Sequence, residues 1–326
     1  MTSKTILITG ATGFIGSCIA HKLVNMNYDV HITKREQSNI WRIRNIINRI
    51  IPHDVDLIDS ERVEKLIKES KPDIIIHTAI YGGRPYQKDI KKIIMTNFIG
   101  TVNLINACKK VGFELFVNTG SSSEYGIKSK PMTEDAILEP INEYGVSKAA
   151  GSLYCQVVAR REKIPIVTLR IFSPYGYYDH KARLIPSVIM SCLAKKNPEI
   201  IYPNCVRDYI FVEDIVDAYI KVIETSNIIG EIFNIGYGKQ HSMREVGEII
   251  VKLTGSKVRL ILGNAPKLQN EPDIWQADVS KAEHILKWRP KHSLEKGLVK
   301  TVKWFEKNMN IYAEQQKSDK LDDTSK

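Results

Sequence analysis

An α/β fold, built as a doubly wound parallel sheet followed by a smaller mixed α/β region, is predicted by three features of the sequence. Short apolar runs of strand length alternate with longer amphipathic segments of helix length through the first half of the chain. A glycine-rich turn joins the first run to the first amphipathic segment. After Phe172 the alternation gives way to a turn-rich stretch, SPYGYYDHKARLIP, and later elements are shorter and mixed.

The elements follow in order. TILIT at Thr5–Thr9 reads as a buried strand, and Ile15–Asn25 carries Ile15, Ile19, Leu23 and Val24 on one helical face. A second strand is expected at Asp29–Thr33. Ile40–Ile51 has Ile43, Ile46, Ile47 and Ile50 in helical phase with arginines between them, and predicts the second crossover helix. Strand Val55–Ile58, helix Glu61–Glu69 and strand Asp73–His77 continue the alternation. Two longer helices, Ile90–Val111 and Asn142–Lys163, flank strand Leu115–Thr119, and strand Ile166–Ile171 completes a sheet of six or seven strands. Beyond it, helices are expected at Pro186–Lys195 and Asp214–Glu224, and strands at Tyr209–Val212, Glu231–Ile235 and Val258–Leu262. Ser242 and Glu245 form a capping box that opens helix Met243–Leu253. Ser293 caps a last helix with Leu298, Val302 and Phe305 on one face. From Gln315 the sequence QQKSDKLDDTSK holds one apolar residue and is expected to be disordered.

Size and charge bound the function. The chain has 326 residues, enough for one large domain or two modest ones. With 47 Lys+Arg against 37 Asp+Glu the formal net charge is +10, but the cations are interspersed with acids, so nucleic acid is not the expected partner. No apolar stretch reaches the ~18 residues a membrane span needs, and the first strand starts at Thr5, so a cytoplasmic protein is expected. Five cysteines without metal-ligand spacing predict reduced packing residues, with no metal site.

TILITGATGFIG places Gly10, Gly13 and Gly16 between a strand and a helix. Glycines there let the backbone turn tightly and approach a pyrophosphate, whose charge is met by free N–H groups and the helix dipole. The expectation is a Rossmann-type dinucleotide site at Gly10, Thr12, Gly13, Phe14, Ile15 and Gly16. At the end of the second strand, Thr33 stands where a carboxylate would select NAD, and Lys34 and Arg35 follow, suited to the 2′-phosphate of NADP. NADP(H) is therefore favoured, with NAD(H) as the alternative. Asp56 and Leu57 are expected beside the adenine.

Tyr144 and Lys148 lie four apart on a predicted helix and share a face. A cation near the phenol favours phenolate and brings the tyrosine toward neutral-pH proton transfer. The strand end NTGSSSEYG at 118–126 supplies hydroxyls where open α/β sheets bind ligands.

With TGATGFIG, HTA at 77–79, TNFIGTVNLINA, SSSEYG, YGVSK, LRIFSPYG and RDYIFVEDIVDAY in this order, the chain resembles the extended short-chain dehydrogenase/reductases, specifically the nucleotide-sugar branch of epimerases, dehydratases and ketoreductases. The resemblance runs from about Thr5 to Phe305. It implies Ser121, Tyr144 and Lys148 as catalytic residues, with Asn97 supporting the lysine and Asn97, Tyr144 and Lys148 also lining the cofactor. It implies Thr78, Ala79 and Phe172 beside the cofactor, and Tyr81, Ser122, Ser123, Ser173, Leu184, Ile185, Pro186 and Arg207 around a nucleotide-sugar substrate. A cofactor domain over 1–172, receiving later elements near 208–235, then precedes a substrate region over 173–314 and the tail. The long helices imply a homodimer. The acid that a 4,6-dehydratase needs one or two positions after the catalytic hydroxyl is replaced by Ser122 and Ser123, with Glu124 one step too late. The second phosphate clamp falls to Lys267 in place of the usual arginine. The favoured activity is NADPH-dependent reduction of an NDP-4-keto-6-deoxyhexose, Tyr144 donating the proton; the alternatives are a 4-epimerase with tightly bound NAD and a non-catalytic sensor or RNA-associated protein.

Overall fold

The computed structural model describes residues 4–84, 86–264 and 271–323, with side chains through Tyr312. The first half runs β1 (Thr5–Thr9), α1 (Phe14–Asn25), β2 (Asp29–Lys34), a 3₁₀ segment (Trp41–Arg49), β3 (Ile51–Asp54), α2 (Ser60–Ser70), β4 (Ile74–His77), α3 (Ile90–Ile94), a π-helical turn (Met95–Ile99), α4 (Gly100–Val111), β5 (Leu115–Ser121), α5 (Glu143–Glu162) and β6 (Ile166–Ile171). The second half adds β7 (Ser173–Tyr175), α6 (Leu184–Leu193), β8 (Glu199–Ile200), β9 (Val206–Phe211), α7 (Val212–Glu224), β10 (Ile232–Ile235), β11 (Gln240–Ser242), α8 (Met243–Leu253), β12 (Ile261–Leu262), α9 (Ser280–Leu286) and α10 (Leu294–Asp323).

Seven strands form one sheet in the order β10-β6-β5-β4-β1-β2-β3, every neighbouring pair parallel. Successive side chains of a strand face opposite ways, and here both faces are covered. Ile6, Ile8, Ile74 and Ile76 pack on the side of α1 and α7, while Leu7, Ile75 and Phe116 pack on the side of α2, α4 and α5. This explains why the central strands read as unbroken apolar runs. The smaller sheets are β11-β9-β7 and β12-β8, and a separate apolar cluster beneath α6, α8 and α10 covers them.

Four local expectations change. The second crossover is 3₁₀, and its apolar residues Ile40, Ile43 and Ile46 recur every three positions, the repeat of that helix. The third strand lies at Ile51–Asp54, not Val55–Ile58; at the sheet edge it pairs on one side only, so it needs no apolar run and tolerates Pro52. The helix expected at Ile90–Val111 is interrupted by the π turn at Met95–Ile99. The last helix is kinked at Asn308, and its second part continues past Gln315, where a disordered tail is expected; the segment to Asp323 contains neither Gly nor Pro to stop it. All five cysteines are free, and no helix among the described residues is long and apolar enough to cross a membrane.

Candidate active site

The residues that the sequence singles out come from separate stretches of chain, yet most gather along the carboxyl edge of the large sheet. The topology forces this, because β2, β1, β4, β5 and β6 are successive neighbours and all point the same way.

The glycine turn fits a dinucleotide on steric grounds. Gly10 has φ +73°, and a Cβ there would lie 2.6 Å from the Ala79 backbone nitrogen. A Cβ at Gly16 would lie 2.5 Å from the Gly10 carbonyl oxygen and 2.6 Å from the Thr78 hydroxyl. The turn is thus pressed against the Thr78–Ala79 segment, and Thr78 Oγ1 donates to the Thr9 carbonyl at 2.7 Å. Helix α1 starts at Phe14 with Gly13 as its N-cap and no side chain satisfying the first-turn N–H groups. Those donors, including the turn that carries Ile15, are left for an anion. Thr12 is held from behind: the buried Arg42 donates to its carbonyl at 3.3 Å and to the Tyr178 carbonyl at 2.8 Å. Arg42 belongs to the basic segment that the sequence assigns to packing, and no spacing in the sequence marks it out.

At the adenosine end the structure revises the sequence argument. Thr33 is only 4% exposed inside the sheet, and β2 ends at Lys34, whose ammonium pairs with Asp54 of β3. Of the two cations expected to meet a 2′-phosphate, Lys34 thus has a carboxylate beside it, though Asp54 is exposed. Arg35 borders a cleft of about 750 Å³ together with Asp54, Asp56, Arg62, Lys91 and Thr96. Leu57, beside it, is buried, and Asn103 donates to its carbonyl at 3.0 Å.

Ser121 ends β5. Its Oγ accepts from the Ser123 N–H at 3.1 Å, so the hydroxyl hydrogen remains available for a ligand or for Tyr144. Tyr144 and Lys148 lie in the first turns of α5, which Asn142 caps by accepting from the Gly145 N–H at 2.7 Å. A Cβ on Gly145 would lie 2.5 Å from the Ser123 carbonyl oxygen, so the helix start is packed onto the serine loop. Burial pushes the Tyr144 phenol above its usual range, while a hydrogen bond with Ser121 pulls it back; Glu124 raises it and Arg183 lowers it. The depression by Lys148 expected from sequence is not what dominates. Lys148 is 3% exposed and burial lowers its own pKa, opposed by Glu124.

Asn97 sits in the π turn, where its Nδ2 donates to the Tyr81 carbonyl at 2.8 Å and to Ser147 Oγ at 2.9 Å, and its Oδ1 accepts from Tyr81 N–H at 2.7 Å. It therefore ties the Tyr81 loop to α5 next to Lys148. Beneath it His77 bridges Thr9 at 2.7 Å and Thr101 at 2.9 Å, and Thr101 donates to the Asn97 carbonyl at 2.7 Å. Burial, with the Lys148 charge second, pushes His77 down to about 3. An imidazole that titrates near 6.5 unfolded and near 3 folded is protonated first in the unfolded chain, so stability falls as pH drops through that window. We expect the wild type to lose roughly 1.4 kcal/mol per pH unit below about pH 6 relative to His77→Gln. Urea unfolding at pH 7, 5 and 4 measures it, and parallel pH slopes for the two proteins would refute it.

The other expected neighbours differ in exposure. Phe172 is fully buried among Tyr125, Met132 and Trp275, so its ring packs the interior instead of bordering the sheet edge. Ser122 is 5% exposed, whereas Ser123 and Ser173 are partly open. At the start of α6, Ile185 and Pro186 are buried and Leu184 is half-buried. Arg207 on β9 pairs with Glu271 and lies over the Trp275 ring, 5.2 Å from its centroid. Lys267 lies outside the described residues. Sequence reasoning missed the fully buried Glu124–Arg170 pair, 2.7 Å between Oε2 and Nε. A signal was there: an arginine inside the apolar strand IVTLRI requires a buried acid.

Known proteins resemble this chain over nearly its whole length. Over 94% of this chain and 98% of its own length, a UDP-glucose 4-epimerase from Lactobacillus helveticus is 28% identical. The structure of a UDP-glucose 4-epimerase with UDP-glucose from Thermotoga maritima superposes with a TM-score of 0.86 at 26% identity, covering 94% of this chain and 99% of that one. A UDP-glucuronic acid 4-epimerase from Bacillus cereus, in complex with UDP-glucuronic acid and NAD, gives 0.83 at 29% identity over 93% and 99%. The pattern of one family matches residues 6–236, from the first strand of the large sheet through its last. On that match the chain belongs to the NAD dependent epimerase/dehydratase family.

Proposed function

We propose that the protein is a nucleotide-sugar 4-epimerase that keeps NAD bound through turnover. The observation that carries the reading is the hydroxyl pair at the end of β5, where Ser121 lies close enough to Tyr144 to hold its phenol down against burial, with Lys148 buried one helical turn further along α5. Such a pair binds a sugar hydroxyl and moves one proton. Ser121 orients the oxygen at C4, and Tyr144 takes its proton in one half-reaction and returns it in the other. NAD, when bound, supplies the hydride chemistry at the same carbon. Dehydration is disfavoured because the acid nearest the site, Glu124, is fully buried and engaged with Arg170, Ser121 and Ser152. The named activities of the relatives support epimerisation, and the Lys34–Asp54 pair weakens the argument for NADP.

The second reading, a 4-ketoreductase using NADPH, rests on Arg35, which has no ion-pair partner among the described residues and borders the cleft beside Asp56. Native mass spectrometry of freshly purified protein separates the two: copurified NAD supports the epimerase, and a site that is empty or filled by NADP(H) supports the reductase. The same spectrum reports the subunit count. We propose a homodimer through α3–α4 and α5, whose outward side chains Ile90, Ile94, Leu153 and Val157 are between 42% and 56% exposed. A monomer at micromolar concentration would sink that assignment.

A further inference from the structure

One acid of the serine loop is used neither by the proposed reaction nor by the surface. Glu124 is 0% exposed, and its two oxygens are fully employed. Oε1 accepts from the Ser121 backbone N–H at 2.7 Å and from Ser152 Oγ at 2.9 Å, while Oε2 accepts from Arg170 Nε at 2.7 Å. Ser121 is the N-cap of the short 3₁₀ turn Ser122–Glu124, and the two residues satisfy each other's orphan donors as a capping box. Ser152 lies one turn beyond Lys148 on α5, so a single carboxylate joins the strand end that presents the Ser121 hydroxyl to the helix that presents Tyr144 and Lys148. Gly120 leaves the space it needs: a Cβ there would sit 2.7 Å from Oε1. Behind the pair, Arg170 continues to the Tyr125 hydroxyl at 2.9 Å and the Glu134 carbonyl at 3.2 Å, and Tyr125 donates to Asn234 at 2.7 Å. The carboxylate is therefore anchored on three strands of the large sheet and cannot swing.

We propose that Glu124 is a positioning residue of this site, which holds the Ser121 hydroxyl toward Tyr144 and sets the electrostatic field in which Tyr144 and Lys148 handle the proton. The charged groups that reach the phenol are Glu124 from the serine loop and Arg183 from the start of α6; Lys148, four residues along its own helix, does not shift it. Glu124 raises both Tyr144 and Lys148, so it favours the protonated phenol and the charged ammonium together. Arg170 balances the carboxylate against burial without itself reaching the phenol.

The inference rests on Tyr144 as the proton-transfer residue, and its test has a readout that needs no substrate. Tyrosine labelled with ¹³C at Cζ is titrated by NMR in the full-length protein, the Tyr144 resonance being identified by its loss in Tyr144→Phe. Glu124→Gln keeps an oxygen for the Ser121 N–H and removes the charge. We expect the Tyr144 titration to move to lower pH by about half a unit to one unit. The pH limb of kcat/KM should follow by the same amount. Should Glu124→Gln fail to fold, Glu124→Gln combined with Arg170→Gln keeps an amide contact without either charge, and the same direction of shift is expected. A folded variant in which melting temperature falls while the Tyr144 titration and pH limb stay in place would make Glu124 structural only and overturn the proposal. A shifted titration in a protein that turns over no nucleotide sugar supports the role of Glu124 and overturns the epimerase reading instead.

Discussion

Replacing Tyr144 by Phe is expected to leave a folded protein that binds NAD with unchanged affinity and turns over nucleotide sugar at least about a hundredfold more slowly, the scale of general acid–base catalysis. The substitution deletes one oxygen from a half-buried side chain, so the ring packing against the Gly82 segment is retained. What is lost is the titrating hydroxyl beside Ser121. Burial holds that phenol above its ordinary range, so at neutral pH it is protonated, and the half-reaction that abstracts a proton should accelerate with rising pH until the phenol ionises. The variant should show neither the rate nor this rise. Steady-state rates from pH 6 to 9.5, with NAD binding measured by calorimetry, check both parts. Turnover within threefold of wild type would remove Tyr144 from the chemistry.

Much of this was legible in the sequence, and the reasons differ by element. The parallel sheet is announced because strands buried on both faces must be apolar at every position, as in Ile74–Ile76. The phosphate turn shows because only glycine tolerates φ +73° and contact with Ala79 at position 10. Edge strand β3 was misplaced for the converse reason: with one neighbour and two exposed residues at its start, it carries no such pattern. Pairwise electrostatics were the least readable. That Asp54 would pair with Lys34, or that Glu271 would reach Arg207, depends on registers and loop paths that no local spacing encodes. The i, i+4 rule places Lys148 on the face of Tyr144, but burial of both groups decides which way the phenol shifts.

The Arg170–Glu124 pair makes the largest stability prediction. Its members are 2% and 0% exposed, so neither charge is solvated by water. Two ions taken from water into the interior lose several kcal/mol each, and the pair persists because hydrogen bonds to Ser121, Ser152 and Tyr125 complete the coordination of both. Arg170→Met preserves much of the side-chain volume but leaves the carboxylate without a cation. The expected cost is about 3–5 kcal/mol, or a fall in Tm on the order of 10 °C. Adding Glu124→Gln should recover roughly 1–3 kcal/mol, since the uncompensated charge disappears while an acceptor for Ser121 remains. Stabilisation by a second substitution is the opposite of what two independent packing defects would give, because those add. Denaturant unfolding of the wild type, both single variants and the double variant closes the cycle. A double variant less stable than Arg170→Met would mean that Arg170 contributes through its stem and its contact with the Tyr125 ring, not through the charge of Glu124.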